Sequence, residues 1–89
     1  MKSVILAALR NEGLVIDSEA LLDVKFMRKT CSDHVLGAVY LALVHDEDEE
    51  LYQVCEIFMN CEDLTADFGG CPLLETEDYT EANSAFNEA

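Results

Sequence analysis

SDHVLGAVYLALV (Ser32–Val44), HDEDEE (His45–Glu50) and LYQVCEIFMNC (Leu51–Cys61) run consecutively, two apolar segments around five adjacent acids. In the first, Val35, Leu36, Val39, Tyr40, Leu43 and Val44 recur at i, i+1, i+4, i+5, i+8 and i+9, the period of one helix face. Ser32-Asp33 offers an N-cap and His45 closes the segment. In the second, Leu51, Val54, Cys55 and Phe58 stand at i, i+3, i+4 and i+7. Carboxylates are favoured in the first turn of a helix, where the macrodipole is positive. The stretch therefore predicts two helices meeting at an acidic elbow. The rival is a β-hairpin over residues 35–59. Its Val, Tyr, Ile and Phe suit strands, but Leu51, Gln53, Cys55, Ile57 and Met59 alternate imperfectly. A tight hairpin also favours a Gly-containing turn, and HDEDEE has none. The balance favours helices.

The flanking chain extends this reading. Val4, Ile5, Ala8 and Leu9 predict a helix over residues 2–11, with Ser3 as cap, Arg10 at the C-terminal dipole and Gly13 as left-handed stop. Leu14-Val15-Ile16 reads as a connector or one short strand. Asp17-Ser18 then caps a helix from about Glu19 to Lys29, with Leu21, Leu22, Lys25 and Phe26 on one face. Residues 61–68 hold a short helical turn, ended by Gly69-Gly70 and Pro72, with Leu73 and Leu74 as anchors. Thr76 caps a last helix bearing Glu77 and Asp78 in its first turn and a stripe of Tyr79, Ala82 and Phe86. The expected architecture is one mainly α domain, 1–89, a bundle of about four helices, with an α+β fold carrying a hairpin at 35–59 as the alternative. Gly37, Ala38 and Ala42 would leave a small-residue side on the third helix. That side suggests a two-fold homodimer.

Charge narrows function more than any motif does. The net charge is −14 over 89 residues, beyond the roughly 2–8 that suits a small domain. All five basic residues, Lys2, Arg10, Lys25, Arg28 and Lys29, precede Thr30; of the 19 acids only Glu12, Asp17, Glu19 and Asp23 do, leaving 15 in Cys31–Ala89. An acidic surface without interspersed cations argues against direct nucleic-acid or anionic-membrane binding and favours a basic partner. No apolar run reaches the ~18 residues of a membrane span, and residues 1–13 lack a secretory pattern. The expected location is the cytoplasm, with Cys31, Cys55, Cys61 and Cys71 reduced and Cys71 the most exposed.

Chemistry finds no foothold in these residues. A calcium loop starting at Asp46 would need Gly where Leu51 stands and Glu where Ile57 stands. Cys31 and His34 form one C-x2-H pair, but no C-x2-C completes a zinc set. An acidic field opposes thiolate formation, which disfavours Cys-His catalysis. Asp67-Phe68-Gly69 matches a kinase triplet without the loops that give it meaning. The expectation is a non-enzymatic protein with no cofactor and no metal. A small Cys/His metal or redox module and a homodimeric adaptor are the alternatives.

Asp46, Glu47, Asp48, Glu49, Glu50, Glu62, Asp63, Glu77 and Asp78 are the candidate partner-binding residues. Carboxylates on several elements can approximate a row of phosphates, and the Lys and Arg groups that neutralise DNA would accept them. The expected partner is a basic surface of another protein, nucleic-acid-binding proteins included. In size and charge the chain is similar to the small acidic inhibitors, nucleic-acid mimics among them, that phages encode against host defences.

Overall fold

A computed structural model of the protein describes residues 2–32 and 35–89. It contradicts the four-helix bundle. The chain is an antiparallel sheet with a helix at each end of the sequence: α1 (Lys2–Asn11), β1 (Leu21–Ser32), β2 (Val35–Asp46), β3 (Leu51–Asn60), β4 (Thr65–Phe68), β5 (Leu74–Thr76) and α2 (Tyr79–Glu88). The α+β alternative fits better. The strand order is β1-β2-β3-β4, and β5 pairs with β3. β4 pairs with Ile57–Asn60 and β5 with Tyr52–Val54, so the two short strands follow one another along the same edge of β3.

β2 and β3 form the hairpin, with Asp46 opposite Leu51 and Gly37 opposite Asn60. Its turn solves the missing glycine in another way. Glu50 itself adopts φ 54, and the side chain of Asp46 accepts from the backbone N–H of Asp48 at 3.0 Å and of Glu49 at 3.4 Å. Four-residue hairpin loops of this kind need one left-handed residue and a side-chain acceptor rather than an Asn-Gly pair. The β3–β4 turn repeats the device: Leu64 is at φ 56, and Asn60 accepts from the N–H of Glu62 at 2.9 Å. The acids read as helix starts are therefore turn formers. The same applies to Asp17, whose carboxylate accepts from the N–H of Glu19 at 3.0 Å in a turn leading into β1. The expected helix at 19–29 is strand β1.

The core explains why β2 lacks a strand's alternation. Ala38, Tyr40 and Ala42 lie in one buried cluster with Ile5, Ala8 and Leu9 of α1 and with Ile57, Met59 and Ala66. Leu41 and Leu43 lie in a second cluster with Val54 and with Ala82 and Phe86 of α2. Alternate residues of a strand face opposite sides, so α1 and α2 cover opposite faces of the sheet. Every position of β2 from Ala38 to Leu43 is consequently buried. Ala38 and Ala42, expected on one side of a helix, are instead strand residues buried in the same cluster as Ile5, Ala8 and Leu9 of α1.

The helices at the ends of the sequence form where their periodicity predicts. α1 buries Ile5, Ala8 and Leu9, while Val4 stays half exposed, and Ser3 lies within the helix rather than capping it. Gly13, at φ 95, ends α1: the N–H of Leu14 reaches the carbonyl of Leu9 at 2.8 Å and that of Gly13 reaches Arg10 at 2.9 Å. These two bonds make a Schellman stop, for which a left-handed glycine is best suited. α2 is capped by Asp78, not Thr76; Asp78 accepts from the N–H of Thr80 at 2.9 Å, and Thr76 in turn accepts from the N–H of Asp78 at 3.1 Å. Ala82 and Phe86 dock on the sheet; Leu74 packs with them, but Leu73 is exposed. Lys25 of β1 closes that end of α2, donating to the Ala89 carbonyl at 3.0 Å and lying over the Phe86 ring.

The expected Ser32-Asp33 cap and the Cys31–His34 pair fall outside the described residues and side chains. No helix among the described residues is long and apolar enough to cross a membrane.

Candidate functional site: an acidic end with a cleft

The sheet distributes the candidate acids unequally. Asp46–Glu50 form the β2–β3 turn at one end of β3. Thr76 pairs with Tyr52, so Glu77 and Asp78 emerge at this same end. Glu62 and Asp63 lie in the β3–β4 turn, at the other end of a ten-residue strand, about 30 Å away at ~3.3 Å per residue. Seven of the nine candidates therefore converge, and Glu62 and Asp63 are left out.

Acids that the sequence reading did not select join them. The N–H of His45 donates to the Ala20 carbonyl at 2.8 Å, which ties the Asp17–Ala20 turn, with Asp17 and Glu19, to the foot of β2. Glu75 lies opposite Gln53 and accepts from its side-chain amide at 3.4 Å. The Lys and Arg side chains of β1 start at Lys25, farther along the strand, and the ion pair formed among the described residues is Arg28–Glu56 at 3.7 Å. The acids of this end thus have no basic partner among the described residues. His45 stacks on Tyr52, with ring centroids 4.6 Å apart, and Tyr79 meets Tyr52 edge to face at 5.3 Å. These rings brace the start of α2 against the hairpin.

A cleft of about 570 Å³ opens beside the acidic turn, on the α1 face of the sheet. Its origin is a mismatch of lengths. A ten-residue helix spans about 15 Å, whereas a twelve-residue strand spans about 40 Å. α1 lies against β4, and Asn11 donates to the Leu64 carbonyl at 2.9 Å, so the helix sits toward the far end of the sheet. Val44, Gln53, Cys55 and Phe68 are left as the floor of the uncovered part. Ile16, Asp17 and Ala20 form one wall, and Gly70 and Pro72 the other. Asp46, Glu47 and Asp48 complete the rim. The result is an apolar trough under carboxylates, with a size in the range of about 300–1,000 Å³ typical of ligand sites.

The floor carries one thiol that is an unusually weak acid. Cys55 is buried, and burial together with the nearby Glu75 carboxylate pushes its pKa up to about 11. At neutral pH it is a neutral thiol whose S–H points toward the Gln53 side-chain oxygen, 4.0 Å away. It is a poor nucleophile there, because the thiolate is the reactive form. Cys61 and Cys71 are free and exposed. Among the described residues no group of three or more His, Cys, Asp or Glu side chains is placed to hold a metal ion.

Sequence reasoning could have found Asp17 and Glu75 only by first accepting the hairpin. The cleft floor had no signal of its own: its residues come from separate segments that only the strand register unites. No protein-family model, no curated protein and no solved structure matches the chain.

Proposed function

We propose that this chain is a non-enzymatic acidic protein that binds a basic surface of another protein through the end of the sheet bearing Asp46–Glu50, Glu77 and Asp78. One observation carries the reading: carboxylates from three separated segments, residues 17–19, 46–50 and 75–78, are gathered at one end without a cation among them. Like charges held together cost stability through self-repulsion, and a basic partner would relieve that cost. A nucleic-acid-binding protein is a suitable partner, because its Lys and Arg side chains are already spaced for anionic groups.

The test compares the wild-type chain with a variant in which Asp46, Asp48, Glu49 and Glu50 become Asn or Gln. Partners are captured at low salt and identified, and their association is followed kinetically. Binding should weaken with salt as the Debye length falls from about 10 Å at 0.1 M to about 3 Å at 1 M. The neutralised variant should associate more slowly, since charges at an interface rim act chiefly through steering. A partner's own DNA or RNA should compete if the acids stand in for phosphates. An unchanged on-rate in the variant at low salt would reduce the charge to a solubility device.

A further inference from the structure

The acidic turn and the cleft adjoin one another, but they make different demands on a partner. A flat acidic surface accepts any exposed cation. A trough with an apolar floor rewards a side chain that is apolar along its length and charged at its tip. Lysine and arginine have that build, burying their stems while the head stays at the polar boundary. We propose that the cleft is a pocket for one long cationic side chain of the basic partner, with its stem over Val44 and Phe68 and its head at the carboxylates of Asp17, Asp46 and Asp48. The proposal rests on the basic-partner reading and deepens it by naming where the partner inserts.

Several features favour this occupant. The lining carries carboxylates from two neighbouring segments, Asp17 on the connector wall and Asp46 and Asp48 on the turn, so a cation entering the cleft is attracted by both. Asp46 uses one carboxylate oxygen to hold the turn, which fixes its position and leaves its second oxygen able to accept. The floor is mainly apolar, and its polar groups are already engaged: Cys55 with Gln53, and Gln53 with Glu75. An anionic occupant would meet Asp17, Asp46, Glu47 and Asp48, with His45 beside them and no Lys or Arg in the lining, and a purely apolar one would bury the acids without a counter-charge, which is costly.

Hexalysine serves as the probe, with the intact protein labelled at methyl groups for NMR. The methyl signals of Ile16 and Val44 and the Gln53 side-chain amide should shift along with the backbone amides of Asp46–Glu50. Ala20→Phe fills the cleft from one wall, and Pro72→Phe fills it from the other; either variant serves if it keeps the wild-type spectrum elsewhere. Affinity should fall about tenfold, the loss expected when roughly two buried methylenes return to water. The salt dependence should remain, because the acids are intact. If the turn amides shift while Ile16 and Val44 do not, or if the filled variants bind equally well, the pocket is overturned and the basic-partner reading stands. If nothing shifts, both fall. If n-butylammonium binds as tightly as the peptide, the occupant is a free amine and the partner assignment is overturned.

Discussion

Replacing Glu50 by Gly should stabilise the protein, and the sign of this change separates a hairpin from a helical elbow. Glu50 is held at φ 54 by the turn. The left-handed conformation costs a residue with a Cβ roughly 1–2 kcal/mol. Gly removes that cost but makes the unfolded chain more flexible, which returns about 0.5–1 kcal/mol. The expected net gain is about 0.5–1 kcal/mol, or roughly 2–8 °C in melting midpoint for a domain of this size. Removing a charge from the acidic end also relieves repulsion, so Glu50→Gln is the necessary control: it removes the charge and keeps the strained backbone. The assay is thermal and urea unfolding by circular dichroism of wild type, Glu50→Gln and Glu50→Gly. Were residues 46–50 the first turn of a helix, Gly would instead cost about 1 kcal/mol. Glu50→Gly falling below Glu50→Gln in stability would refute the hairpin turn. Leu64, at φ 56 in the other turn, offers a repeat. Its half-exposed side chain gives up some burial, so Leu64→Gly should gain less. The two changes should add, since the turns lie at opposite ends of β3.

Cys55 should react with a thiol reagent far more slowly than Cys61 and Cys71, and it should also shape the alkaline limb of stability. Its folded pKa, about 11, lies above the ordinary value of 9.0, so its contribution is complete below about pH 9 and is lost as pH rises toward 11. Melts across that window should fall less steeply for Cys55→Ala than for wild type, and identical slopes would count against the buried thiol. In the core, Ile57→Ala should cost about 2–5 kcal/mol and Phe86→Ala about 3–5 kcal/mol, because both side chains are almost fully buried, on opposite faces of the sheet. A loss below about 1 kcal/mol for Phe86→Ala in urea unfolding would mean that α2 is not docked as described.

The errors in the sequence reading have a specific physical origin. In β1, Leu21 pairs with Val44, Val24 with Ala42 and Phe26 with Tyr40, with register shifts around Leu22 and again around Met27. A bulge adds one residue, so same-face residues fall three apart instead of two. Leu21 and Val24 thereby imitate the i, i+3 spacing of a helix. In β2 the imitation arises differently. Ala38, Tyr40 and Ala42 face α1 while Val39, Leu41 and Leu43 face the other way, and all are buried. An apolar run buried on both sides has no period of two, and any subset of it can be chosen to fit 3.6. In β3 the alternation was visible in Gln53, Cys55, Ile57 and Met59, but Val54 and Phe58 on the other face completed a helical pattern as well.

Local chemistry was legible in the sequence wherever its effect stayed local. The helix at Lys2–Asn11, its stop at Gly13, the docking of Ala82 and Phe86 and the charge imbalance needed only short-range rules. Asp17 was read as a backbone-capping residue, while Asp46 and Asp78 were read only as first-turn acids; a carboxylate that accepts from the N–H two residues on caps a helix and closes a turn equally well. The choice between those outcomes belongs to tertiary structure. It depends on whether an apolar face is met by a helix or by a neighbouring strand, and β2 is stable as a strand only because β1, β3, α1 and α2 surround it. The acidic end and its cleft follow from the same register, which brings residues 16–20, 44–48, 53–55 and 68–77 together although no spacing in the chain connects them.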